Sequence, residues 1–472
     1  MTKDTPGRPT SAVTDTDTGT ATATGTATAT ATGTGTRGAE PTARDCPDCG
    51  ERIPVDPRFV TWCTACGWNV DPEDATPDEP EPDRVERLRR TLAHRYGEQL
   101  FADLAAAPGA DGPAASRPTG GAALLATVLA LAVHGLTVGL AVIGLWLLVD
   151  RWGEGLQPAV GGLLLALAFV LRPRFGRLRK GSELPHLERA DAPRLFALID
   201  EIGAGVGTRG VDLVVLDADV NAFVSAYGIR RRRVLVLGMP LWATLDPQER
   251  IALLGHELGH YAHGDTRHGF LVGSALGSLD TWRYMLARSE DGDSLSDTFI
   301  NVLTAPPRWA VHGLSLLLDG ATLRATQRAE YLADGAAART AGRDAAVGLL
   351  QRLLVSRSAD SALRREIIAA RTRTGGRARR EVQAEGLWQR VAAEVRTVPE
   401  REYERLRRVA ELHGHRVDST HPPTHLRIRN LARGDLRPPA LVLDPDRAAA
   451  LEAELAAPAQ KVAALLLRDG GA

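Results

Sequence analysis

The 472-residue sequence predicts an α+β, mostly helical main domain with a small edge sheet, preceded by a transmembrane helical hairpin and a small cysteine-rich unit. Three observations predict it. Two short β-branched runs stand ahead of a long succession of helical patterns. An uncharged apolar stretch runs from Ala122 to Val149. All the cysteines fall between positions 46 and 66. A chain of this length exceeds one compact core and divides into several units. Hydrophobic residues make up 44% and charged residues 24%, both ordinary for a folded protein. The net charge of -1 supplies no general field for nucleic acid, and no nucleic-acid partner is expected.

Residues 1–43 are low complexity, as in Thr20-Ala21-Thr22-Ala23-Thr24. They cannot bury a core and are expected to be a disordered tail, and they hold no apolar run of signal-peptide type. Residues 44–72 carry Cys46-Pro47-Asp48-Cys49-Gly50 and Cys63-Thr64-Ala65-Cys66-Gly67. Two such knuckles resemble a zinc ribbon: four thiolates make a closed, structural tetrahedral site, in keeping with a reducing compartment. A redox pair would not be duplicated. Trp62 and Trp68 read as the small core such a unit needs. Residues 73–121 read as an acidic, Pro-rich linker, a charged helix and a further Pro/Ala/Gly stretch.

Residues 122–172 are expected to form the hairpin. Ala122–Val149 exceeds the ~20 residues that cross a hydrocarbon core. The second apolar run, Pro158–Leu171, is short for a span: it either spans with bilayer thinning or is re-entrant or interfacial. Arg172, Arg174, Arg177, Arg179 and Lys180 follow it and should stay cytoplasmic. A hairpin therefore puts both the cysteine unit and everything after residue 180 in the cytoplasm, in a multi-pass protein of the plasma membrane.

The main unit covers residues 181–440. Asp191–Val206 reads as an amphipathic helix, and Val211–Leu216 and Arg233–Leu237 read as strands. Asp246-Pro247-Gln248-Glu249 is a helix start, with Asp as N-cap, Pro at N1 and Glu at N3. Later segments are mostly helical, and residues 441–472 end the chain as an Ala/Leu-rich helix.

The helix that Asp246 opens carries His256-Glu257-Leu258-Gly259-His260. Residues four apart share a helix face, so His256 and His260 can both turn a ring nitrogen to one ion, with Glu257 near enough to reach a water there without being a ligand. Catalytic zinc takes three protein ligands and keeps one open position. A third histidine ligand fails, because the Gly of His-x-x-Gly-x-x-His is replaced by His263 and position 266 is Thr. Glu330, in Glu330-Tyr331-Leu332-Ala333-Asp334, is the better third ligand. Asp334, four residues on, can fix a ligand histidine's tautomer, and Asp265 is a second candidate for that role.

Here the sequence resembles the M48 family of membrane-associated zinc metallopeptidases, the group of the HtpX-like heat-shock proteases and CAAX prenyl proteases. The resemblance covers roughly residues 185–435. Its marks are Asn221-Ala222-Phe223, Leu245–Glu249 leading into the His256–His260 motif, Glu330–Asp334, and Ser419-Thr420-His421-Pro422-Pro423 with Arg427-Ile428. It implies a zincin-like (gluzincin) fold and zinc on His256, His260 and Glu330, with Glu257 as base. It also implies an edge strand at Asn221, Ala222 and Phe223 that pairs with an extended protein or peptide substrate. His421 and Arg427 would then lie by the scissile carbonyl. The expected cofactors are two zinc ions, one catalytic and one in the cysteine unit. The expected partners are protein or peptide substrates and the lipid bilayer. The chain departs from HtpX-like members in one respect. His268–Leu286 and Phe299–Leu323, which lie where those members have further spans, contain Asp280, Arg283, Arg308 and Asp319 and are not expected to span. The resemblance thus points to a membrane-anchored zinc endopeptidase at the cytoplasmic face. An inactive scaffold would be free to lose Glu257, and a nucleic-acid-binding regulator conflicts with the acidic linker.

Overall fold

The computed structural model describes residues 42–72, 84–106, 121–150, 155–173, 183–228, 230–262, 265–287, 295–372, 384–413, 421–434 and 438–469. Nearly all of the expected tail, and the acidic linker at 73–83, lie outside them.

The cysteine unit is built on a two-stranded antiparallel hairpin, β1 (Thr42–Asp45) with β2 (Arg52–Val55), in register Thr42↔Val55. Cys46, Ile53 and Cys63 are its buried centre, with Trp68 packed on them and Trp62 only 1% exposed. Gly50 and Gly67 follow the cysteine pairs with φ of +75° and +81°, a conformation that costs a residue with a Cβ.

Three helices follow: α1 (Arg84–Ala106), α2 (Gly121–Asp150) and α3 (Gln157–Leu171). Among the described residues α2 is the one helix long and apolar enough to cross a membrane, and α3 is a shorter apolar helix. They pack backbone to backbone: a Cβ on Gly144 would stand 2.9 Å from Gly161 O, so small residues set their separation. The far face of α2 exposes Leu124, Val128, Leu131, Val142 and Trp146.

The other face of α2 is covered by α7 (Asp265–Met285) and the first half of α9 (Ala305–Ala341). Ala126, Ala130 and Val133 meet Ala275, Leu279, Trp282 and Leu318 in a separate apolar core. The two partly apolar segments left unplaced by the sequence are thus partners of α2, joined through α8 (Leu295–Leu303). Residues 305–341 are one continuous helix running from this apolar bundle into the main domain.

The main domain begins with β3 (His186–Leu187) and α4 (Pro193–Val206). The strands β4 (Leu213–Asp217), β5 (Ala222–Tyr227) and β6 (Arg232–Gly238) complete a sheet of order β3-β4-β6-β5. β4 and β6 are parallel; β3 and β5 lie antiparallel at the edges. After α5 (Met239–Thr244), α6 (Pro247–Ala262) runs beneath the sheet. Leu195, Phe196 and Ile199 of α4, Leu216 and Leu235 of the sheet, and Ile251, Leu254 and Leu258 of α6 share one core. The Tyr261 hydroxyl donates to Ser225 O at 2.5 Å and ties α6 to the sheet.

On its other side α6 meets α9. Gly255 and Gly259 face Ala337 and Ala333: a Cβ on Gly259 would stand 3.0 Å from Ala333 Cα. This close approach brings α9 within ligand distance of the α6 histidines.

The remaining helices are α10 (Arg343–Leu354), α11 (Ser356–Thr372), α12 (Leu387–Arg396), α13 (Glu400–His413), α14 (Thr424–Arg433) and α15 (Pro445–Asp469). The terminal helix docks: Leu451, Leu455, Val462 and Leu467 are buried, and Glu454 accepts the Arg194 and Leu195 amides at 2.9 and 2.8 Å, capping α4.

Candidate metal centre

Both α6 and α9 present buried polar groups to one point. His256 Nε2 and His260 Nε2 are 3.3 Å apart. Glu330 Oε2 is 3.5 Å from the first, and Glu330 Oε1 is 3.6 Å from the second. Zinc bonds of ~2.05 Å in tetrahedral array separate ligand atoms by about 3.3–3.4 Å, and the two imidazole nitrogens, each with a different Glu330 carboxylate oxygen within 3.6 Å, are spaced to share one zinc ion.

The surrounding groups fit a cation as well. Asp334 Oδ1 lies 3.1 Å from His256 Nδ1, leaving Nε2 for the ion. Arg427 of α14 grips Asp334 twice, Nε to Oδ2 at 2.8 Å and Nη2 to Oδ1 at 2.6 Å. Arg427 Nη2 also lies 3.3 Å from Glu330 Oε2, yet that buried oxygen receives no well-aligned hydrogen bond. Glu330 and Asp334 are both buried beside the guanidinium of Arg427, with the Glu257 carboxyl also buried nearby, a set of carboxylates that suits a divalent ion.

Titration follows the same field. Burial works to keep His256 neutral, but Asp334 and Glu330 outweigh it and hold its imidazolium up to about 10: the site draws positive charge. Glu330 is held well below the usual carboxylate range, because His421, Arg427 and His256 overcome the effect of burial. Glu257 is raised by burial, tempered by His256 and His260, which moves it toward the range of a general base.

Of the residues singled out in the sequence, His256, His260, Glu330, Asp334, Glu257, His421 and Arg427 converge here. His421 Nε2 stands 3.3 Å from Glu330 Oε1. Arg427 lines the cleft, where it was expected beside the substrate, and its guanidinium is also engaged by Asp334 and Glu330. Asn221 and Ala222 line the same cleft as His256, Glu257 and His421. Ala222 and Phe223 lie on β5, an edge strand paired only with β6 among the described residues, and Phe223 is 45% exposed. The side chain of Asp265, and residues 263, 264, 419 and 420, lie outside the described residues. Sequence reasoning missed Leu241, Leu253, Leu349, Leu350 and Leu353, the apolar wall of the cleft. Nothing separates them from ordinary core leucines until α5, α6 and α10 are brought together.

The four cysteines form a second cluster. Sγ of Cys46 and Cys66, and of Cys49 and Cys63, are each 3.6 Å apart, too far for disulfides and close to the about 3.8 Å of two thiolates on one zinc. Backbone amides of Cys66 and Ala65 lower the Cys63 thiol to about 7, while the neighbouring thiols help push Cys49 up to about 12, as one thiolate among four crowded thiols is favoured at the expense of the rest.

Two histidines one helical turn apart, a carboxylate from a second helix and a buried glutamate between the histidines in sequence form a His-Glu-x-x-His cluster that could hold a metal ion with Glu330 as third ligand. The family profile described as peptidase family M48 matches residues 193–434, and the chain belongs to that family. It is 32% identical over 157 residues to a "Protease HtpX homolog" of Pyrobaculum aerophilum, covering 32% of this chain and 44% of the relative. A "Protease HtpX homolog" of Pyrobaculum islandicum is 30% identical over 247 residues, 51% of this chain and 67% of that protein. "Protease HtpX" of Pseudomonas putida is 27% identical over 176 residues, 34% and 56% of the two chains. The chain thus spans about half the length of several curated relatives it matches. No solved structure matches it.

Proposed function

We propose that this protein is a membrane-anchored zinc endopeptidase that hydrolyses peptide bonds of protein substrates at the cytoplasmic face. The observation that carries this reading is the convergence of His256, His260 and the Glu330 carboxylate on one point with buried Glu257 beside it.

His256, His260 and Glu330 would hold the catalytic ion. When bound, zinc supplies Lewis acidity to a carbonyl oxygen and to water. Glu257 accepts a proton from the attacking water and delivers it to the leaving amine. His421 faces the reacting carbonyl and donates to the oxygen as charge develops there. Asp334, oriented by Arg427, fixes the ring of His256. The free edge of β5 at Ala222–Phe223 pairs with an extended peptide, whose main chain thereby reaches the cleft. Cys46, Cys49, Cys63 and Cys66 hold a second, structural zinc.

The deciding experiment compares wild type with Glu257→Gln, in membranes, on casein-like and membrane-protein substrates. Removing a general base should cost on the order of 10²–10⁴ in kcat, and a chelator should abolish the wild-type activity. Equal cleavage by the two proteins, or chelator-resistant cleavage, rejects the reading.

A further inference from the structure

We infer that α1, which lies ahead of the family-matched region, is a brace that positions His421 and Arg427 by pressing on Pro423. This rests on the peptidase reading above for what the two residues do, but its geometry stands apart from it.

Pro423 links the two sides of the cleft. It is two residues after His421, and it is the N-cap of α14, the helix that carries Arg427. Its carbonyl accepts the amides of Leu426 at 3.0 Å and Arg427 at 3.2 Å, so the first turn of α14 hangs on it. Whatever fixes Pro423 fixes the start of α14 and limits where His421 can stand.

The contact that fixes it comes from Gly97, in the middle of α1. A Cβ on Gly97 would stand 2.9 Å from Pro423 Cδ and 3.9 Å from Gln327 Oε1. Gln327 is fully buried on α9, one turn before Glu330. The backbone of α1 therefore lies directly on the proline ring, without room for one methyl group. A proline ring has no rotamer with which to step aside, so a displacement passes to the backbone.

Neighbouring contacts seat α1 firmly. Leu100 is buried. The guanidinium groups of Arg429 and Arg433 on α14 lie 5.5 and 5.9 Å from the ring centre of Phe101. Arg433 Nη2 donates to Ala105 O at 3.0 Å, and Arg324 of α9 pairs with Asp103 at 2.8 Å. Thus α1 touches α9 and α14, the helices that bring Glu330, Asp334 and Arg427 to the centre.

Glycine inside a helix normally lowers its stability, so Gly97→Ala should strengthen α1 itself. Its effect on the site is therefore separable from unfolding. In the full chain, Gly97→Ala should lower kcat about tenfold with KM within about twofold, as a small misplacement of a positioned group does. Zinc content and melting temperature should not fall. In the Glu257→Gln background, the Leu426 and Arg427 amides should exchange with solvent about fivefold faster or more, as their acceptor shifts. Pro423→Ala removes the ring atoms in the clash, so Gly97→Ala/Pro423→Ala should be no worse than Pro423→Ala alone. Unchanged kcat and amide exchange in Gly97→Ala, or losses that simply add in the double variant, overturn the brace. If wild type cleaves nothing while the exchange rates rise as described, the brace stands and the peptidase reading falls.

Discussion

Arg427 is a cation buried almost completely between two carboxylates, with its side chain 3% exposed. A buried charge of this kind is costly unless its partners are well placed. Two forked contacts to Asp334 meet that need. Asp334 in turn stands behind His256, so the guanidinium acts on the metal centre through one intermediate. Arg427→Lys keeps the charge but loses the planar fork. It should weaken zinc binding about tenfold, the range for partners behind a ligand histidine. Arg427→Met takes the buried guanidinium away from Asp334 and Glu330 and should destabilise the fold by about 3–5 kcal/mol. Zinc titration and thermal melting check both. Normal zinc affinity in Arg427→Lys, with only KM for peptide raised, would favour the substrate role that the sequence resemblance gives Arg427 over this one. The residue types and helical spacing of His256, Glu257, His260, Glu330 and Asp334 were legible because chemistry and periodicity coincide there. The partners of Arg427 were not, because a guanidinium in sequence looks the same whether it faces substrate or a buried aspartate.

At the scale of elements, the centre depends on how closely α6 and α9 approach. Gly255 and Gly259 on one helix meet Ala337, Ala336 and Ala333 on the other. Gly259→Ala would put its Cβ 3.0 Å from Ala333 Cα and 3.1 Å from Ala336 Cβ. Helix propensity favours the change by roughly 0.5–1 kcal/mol. Overpacking in a dense interface costs about 1–3 kcal/mol and moves the helices apart by tenths of an ångström. The ligands sit one residue away at His260 and three residues before Ala333 at Glu330. Gly259→Ala should therefore lose zinc affinity and lower the melting temperature, at a net cost of about 0–2.5 kcal/mol, measured by metal titration and calorimetry of the metal-free protein. Unchanged affinity would show that the glycine is a packing convenience. The α6 cap and the strands were readable from local pattern, β4 and β6 within two residues of their bounds. The continuity of α9 was not. Arg308 and Asp319 interrupt its apolar pattern, and its two halves pack against different surroundings, so no single periodicity runs its length.

For the whole molecule, the contact between the cysteine unit and the main domain constrains the membrane path. Arg405 and Arg408 of α13 donate to Val70 O and Thr64 O, each at 3.0 Å, and Arg401 donates to Pro54 O. Arg58 answers with a 3.0 Å bond to Thr397 Oγ1, and Phe59 packs on the main core. The two units so joined lie on either side of α2 in the chain, and a bilayer cannot stand between them. A single crossing by α2 is therefore incompatible with this contact. If α2 crosses, α3 must bring the chain back. With 15 residues at 1.5 Å each, α3 is about 22 Å long, short of the ~30 Å hydrocarbon core. Thinning of the bilayer around the glycine-packed pair offsets the mismatch at fractions of a kcal/mol per Å. The basic sequence that begins at Arg172 is what would favour a cytoplasmic place for the returning end on the path proposed above. Two reporters check this path in the full chain. A reporter fused after Lys180 should read cytoplasmic, and a cysteine placed between residues 151 and 154 should react with an impermeant thiol reagent from outside the cell. A periplasmic or extracellular reading after Lys180 would sink the hairpin and require the cysteine unit to leave α13. A cytoplasmic reading with an unreactive tip would make α2 and α3 a buried or interfacial pair instead.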